Sequence, residues 1–100
     1  MQLETVKNYL DITWSDEATD NKIMGIIVRA ESTLNDYAGE KLDFTDEETT
    51  EAQLLLDCCR YIYNHALEDF KVNFRDELFM LRAGRQVSRL ADAEEAGTDL

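Results

Sequence analysis

His65 is the single histidine of the chain, and Cys58 and Cys59 are its two cysteines. Nucleophilic catalysis would have to be assembled from these side chains. His65 and Asp69 are four residues apart, so on a helix they can pair as base and orienter. Cys58 lies seven residues before His65, on nearly the same side of a helix, and could supply the nucleophile. The structural reading outweighs this one. It has Cys59 as buried filler and His65 with Asp69 as a surface pair near a helix C-terminus, where positive charge is favoured. The adjacent cysteines are not expected to bridge, because neighbouring side chains on a helix diverge by about 100°. A reduced, intracellular setting is the expectation.

Metal chemistry is no better supplied. Zinc would require Cys-x-x-Cys or paired histidines, and neither occurs. Two carboxylate clusters, Asp16, Glu17 and Asp20, then Glu47, Glu48 and Glu51, could attract a hard cation. Both stand where helices are expected to begin, and acids there answer the helix dipole. The four glycines are scattered, so no phosphate-cradling loop is present. The expectation is a protein without catalytic residues, metal or cofactor.

The elements that carry these residues read as helices throughout. One hundred residues suffice for one domain with a thin core. The chain has no proline, and no Asn-Gly or Asp-Gly hairpin turn occurs. Glu4 to Leu10 reads as a short first helix with Leu3, Val6 and Leu10 on one side. Ser15, Asp16 and Glu17 supply a helix start, a capping hydroxyl followed by acids. A long second helix runs from Asp16 to about Ala38, striped by Ile23, Ile27, Ala30, Leu34 and Tyr37. Gly39 is placed to close it as a left-handed cap, and Leu42 and Phe44 are expected to fold back on the core.

Thr45 and Glu48 have capping-box spacing and predict a third helix reaching about Leu67. Ala52, Leu55, Leu56, Cys59, Ile62, Tyr63 and Ala66 form its buried stripe, with Leu54, Cys58 and Tyr61 toward other faces. Asp69 to Phe74 alternates apolar and polar, which predicts an extended loop carrying Phe70, Val72 and Phe74 on one side. The loop is expected to be mobile until neighbouring subunits cover it. Asn73 and Asp76 open a medium fourth helix with Phe74, Leu78 and Leu81, and Gly84 is placed to stop it. The fold class expected is therefore all-α, a small bundle of about four helices over residues 1–84. A C-terminal tail, residues 85–100, is expected to stay flexible until bound.

Charge excludes several functions. The formal net charge is −12, and such a chain repels nucleic acid phosphates. No stretch approaches the roughly 20 apolar residues of a membrane helix, and MQLETVKNYLDITW lacks the basic-then-apolar order of a signal peptide. Against this background four of the ten basic residues fall together: Arg75, Arg82, Arg85 and Arg89. Their spacings of seven, three and four give one face if the helix continues past Gly84. Arginine is favoured for ion pairs across interfaces, so the strip is a candidate docking interface toward another subunit. Pairing with the acidic surface of an identical neighbour would be head-to-tail, and head-to-tail contacts close into rings.

The short first helix reading VKNYLDI, the long helix reading DNKIMGIIVRAESTLNDYAG and the third reading AQLLLDCCRYIYNHALEDF resemble a head–tail connector protein of tailed bacteriophages, an adaptor or DNA-packaging protein. The likeness covers about residues 3 to 82. It implies a virion structural protein at the head–tail junction, present in the host cytoplasm during assembly. It implies a ring of identical subunits, typically dodecameric, that binds the portal protein, extends the DNA channel and receives a stopper or tail-completion protein. Passing double-stranded DNA would be touched without sequence reading. By that resemblance the channel-facing loop is Glu68 to Phe74, with Glu68, Asp69, Lys71 and Asn73 toward the DNA, and Arg82 to Leu100 reaches the portal. Two alternatives remain at this point. One is a small acidic bacterial interaction domain that binds a partner helix through its apolar third helix. The other is a cysteine-dependent enzyme using Cys58 and His65.

Overall fold

The computed structural model describes residues 1–84, and the regular elements within them are all helical. Helix α1 spans Leu3–Tyr9, α2 Glu17–Ala38, α3 Thr50–Tyr63 and α4 Leu67–Asn73; α5 covers residues 75–84. The tail expected over 85–100 lies outside the described residues. The second helix begins and ends as its sequence requires. Asp16, rather than Ser15, is the cap: its carboxylate accepts the Thr19 amide at 2.8 Å. Gly39 closes the far end with φ 74°.

The third helix departs from expectation at both ends. Thr45 does not cap it, because Asp43 takes both the Thr45 amide, at 2.9 Å, and its hydroxyl, at 2.6 Å. Asp46 to Glu48 turn instead, and Thr49 caps α3 by accepting the Ala52 amide at 3.1 Å. At the other end the helix stops at Tyr63, not near Leu67. His65 enters the left-handed region (φ 57°), its amide bonds Ile62 O at 3.0 Å, and the Ala66 amide bonds Tyr61 O at 2.7 Å. These two bonds form a Schellman cap, with histidine tolerated where glycine is usual. Asp11 (φ 60°) ends α1 in the same way.

The expected extended loop at Glu68–Phe74 is a helix. As α4, it sets Phe70 and Phe74 one turn apart, stacked at 4.8 Å between centroids, with Tyr61 against both rings at 5.7 and 5.8 Å. Phe70 is fully buried while Val72 is exposed, so the three apolar residues do not share a side. Aromatic contact at i, i+4 outweighs a period-2 pattern only six residues long. The α4 hydrogen bonds run on through Phe74 into α5, Phe74 N to Phe70 O and Leu78 N to Phe74 O, both at 2.9 Å.

The core is built around α3, which packs on α1, α2 and α4. Its expected stripe is buried at Ala52, Leu55, Leu56, Cys59 and Ile62, and Leu54 and Cys58 are buried as well. From α2 come Ile23, Ile26, Ile27, Ala30 and Leu34; Leu42 and Phe44 fold back onto the same cluster as anticipated. Leu78 attaches α5 to it.

Two polar clasps hold α1 in place. Lys7 is buried, and its ammonium donates to Asp20 at 2.8 Å and to Ser15 Oγ at 3.1 Å. Asp20 keeps about a third of its side chain in solvent, which limits the desolvation that a fully buried pair would incur. On the other side the Tyr9 hydroxyl donates to the Asp57 carboxylate of α3. Arg60 joins Asp57 at 3.8 Å and lies over the Tyr9 and Tyr61 rings. The bonded Asp20 carboxylate holds the Lys7 ammonium above the ordinary lysine value. Burial, and then the bond to Asp57, pushes the Tyr9 phenol up.

Two outcomes follow. Leu55 is fully buried, so Leu55→Ala should cost about 2–5 kcal/mol in chemical denaturation, whereas a loss under about 0.5 kcal/mol would place the residue at the surface. Lys7 and Tyr9 hold their protons more tightly folded than unfolded. Their stabilisation is therefore full below their ordinary values and is lost as pH rises through the raised ones. Urea midpoints should fall above about pH 10, and Lys7→Met with Tyr9→Phe should flatten that fall; an equal fall in the double variant would contradict this.

Candidate interaction surface

Both cysteines are fully buried in the α3 core, and burial pushes each thiol up to about 12. At neutral pH they are protonated thiols, the wrong form for a nucleophile. His65 sits on the surface in the α3–α4 turn. A hollow of about 380 Å³ there is lined by Arg29, Ile62 and His65 through Asp69, with neither cysteine in its wall. The Cys58–His65 constellation is therefore not assembled. Among the described residues no group of three or more His, Cys, Asp or Glu side chains is arranged to hold a metal ion. No helix there is long and apolar enough to cross a membrane.

The third helix offers a partner little apolar surface, since its own domain covers it on almost every face. Among the described residues the exposed large apolar side chains are Trp14, Met24 and Val28, then Val72 on α4 and Phe79 and Met80 on α5. The last two occur beside the charges that the sequence singles out.

Helix α5 is anchored by Leu78, with Leu81 half-buried beside it. Arg75 and Arg82, seven residues apart, are exposed, and the helical repeat puts both on one face with Phe79 between them. Phe79 is 69% exposed. The strip is thus two guanidinium groups flanking an uncovered ring. Arg85 and Arg89 lie outside the described residues.

On the other side of α5 a groove of about 570 Å³ opens toward the start of α3. Leu54, Met80 and Leu81 supply its apolar lining, and Glu51, Asp76 and Glu77 its acids. The sequence reading gave this helix Leu78 and Leu81 and used Asp76 only as part of its start; it did not single out Phe79, Met80 or Glu77. The available signal was that Phe79 and Met80 fall outside the stripe set by Phe74, Leu78 and Leu81.

The four residues expected to face a channel all lie on α4. Glu68, Asp69 and Asn73 are exposed and Lys71 is half-buried. Three of them are engaged within the chain: Lys71 pairs with Glu68 at 3.3 Å, and the Asn73 side-chain amide donates to the Tyr61 hydroxyl at 3.1 Å. Helix α4 therefore presents acids from an element packed through Phe70.

Searches with protein-family models, with curated proteins and with solved structures find no match to this chain.

Proposed function

We propose that the chain is a structural adaptor of a tailed-phage head–tail connector, assembling as a ring beneath the portal and passing the DNA channel on toward the tail. The observation that carries this reading is the arrangement of α5. An all-α bundle consumes its apolar helix internally and presents, on one outer helix, a basic aromatic strip and an acid-bordered apolar groove. Such a helix serves contact between proteins. The three stretches that resemble connector proteins supply most of α1, α2, α3 and α4, the body that would carry α5.

Charge supports the same role. At a net −12 the chain repels phosphate, so DNA slides past without adhering. Glu68 and Asp69 on α4 would border that path, and Arg75 and Arg82 would meet acids of the neighbouring subunit or the portal. The partners are the portal protein on one side and a stopper or tail-completion protein on the other.

Negative-stain microscopy of the chain mixed with a portal ring encoded in the same genome tests the reading. Added annular density on one end of the portal is the expected result. Portal rings that stay bare at saturating protein would overturn it.

A further inference from the structure

The α5 strip and the α3–α5 groove match each other in chemistry. The strip offers two positive charges around an uncovered aromatic ring. The groove offers apolar walls from Leu54 and Met80, with Asp76 and Glu77 beside them. A phenyl ring enclosed among apolar walls, with guanidinium groups meeting carboxylates at the edges, is a common way for an interface to be anchored. No single molecule can make the match internally, because the strip and groove occupy different sides of the same short helix. At about 100° per residue, Phe79 points well away from Met80 and the groove.

We propose that this groove receives the Arg75–Phe79–Arg82 face of α5 from a second copy of the chain. The proposal rests on the connector reading and deepens it, by naming the faces through which ring neighbours meet. Two different patches make the contact heterologous. After one pairing one molecule keeps a free groove and the other a free strip, so growth continues until a ring closes. An isologous dimer would require strip and groove to lie within one two-fold interface, and they face different sides of α5.

Charge reversal in the full-length chain separates these possibilities. Arg75→Glu with Arg82→Glu makes the strip negative and leaves the groove intact. Asp76→Lys with Glu77→Lys makes the groove positive and leaves the strip intact. All four residues are exposed, so circular dichroism should show both variants folded. In sedimentation velocity the parent should self-associate with rising concentration and each variant alone should lose that association. Their equimolar mixture should recover it, since every strip then finds a groove of opposite charge. Phe79→Ala should weaken association at least tenfold without altering the helical signal. Persistent association in either charge variant, or a mixture that stays monomeric, would overturn the proposal. A parent chain that is monomeric at all concentrations would overturn it too. That last result would leave the connector reading standing if the same protein still decorates portal rings, because subunits could then dock singly.

Discussion

A helix that is apolar around almost its whole circumference must be covered from every side, and α3 imposes that demand on a small chain. Leu55, Cys58 and Cys59 are each fully buried although their side chains leave the helix in different directions. The long α2 covers one side with Ile23, Ile27, Ala30 and Leu34, α1 another, and α4 with the foot of α5 a third. Burial of this kind supplies most of the stability of a small domain, at roughly 25 cal/mol per Å² of apolar surface removed from water. The rest of the architecture follows from where the covering elements must lie. The Schellman caps at Asp11 and His65 turn the chain where the next element has to come back across α3.

Covering α3 with a short amphipathic helix is not by itself enough, because seven residues of α1 bring few apolar side chains. The polar clasps make up the difference. Lys7 reaches Asp20 of α2 and Tyr9 reaches Asp57 of α3, so α1 is tied to both long helices through charge-assisted hydrogen bonds. The same wrapping explains why both cysteines are buried and their thiols pushed up. It also leaves α5, attached mainly by Leu78, as the element with outer faces to spare.

Much of this was legible in the sequence. The α2 stripe, its Gly39 terminus, the return of Leu42 and Phe44 and the inward face of α3 all follow from periodicity and capping chemistry. What was misread has a local cause in each case. Thr45 has the spacing of a cap, but Asp43, two residues earlier, competes for its amide and hydroxyl. Phe70, Val72 and Phe74 alternate like a strand, yet Phe70 and Phe74 are equally one helical turn apart, and Tyr61 decides between the two. That partner is remote enough in sequence to be invisible to a window of six residues. The burial of Lys7 has no local sign in the sequence, because its carboxylate partner lies thirteen residues away. The arginine spacing was legible, and so was the chance of a docking strip. The complementary groove was not, since it joins α5 to the first turn of α3 across more than twenty residues.

The central claim is that α3 is spent within the chain and α5 is what the chain offers to its neighbours. Amide hydrogen exchange, followed residue by residue in the free and assembled protein, measures this directly. Amides of α3 from Leu55 to Ile62 should exchange only through global unfolding in both states. Those of α5 should exchange faster in the free chain and become protected on assembly. Fast exchange across α3 in the free protein, with protection arising there and not in α5 on assembly, would contradict it.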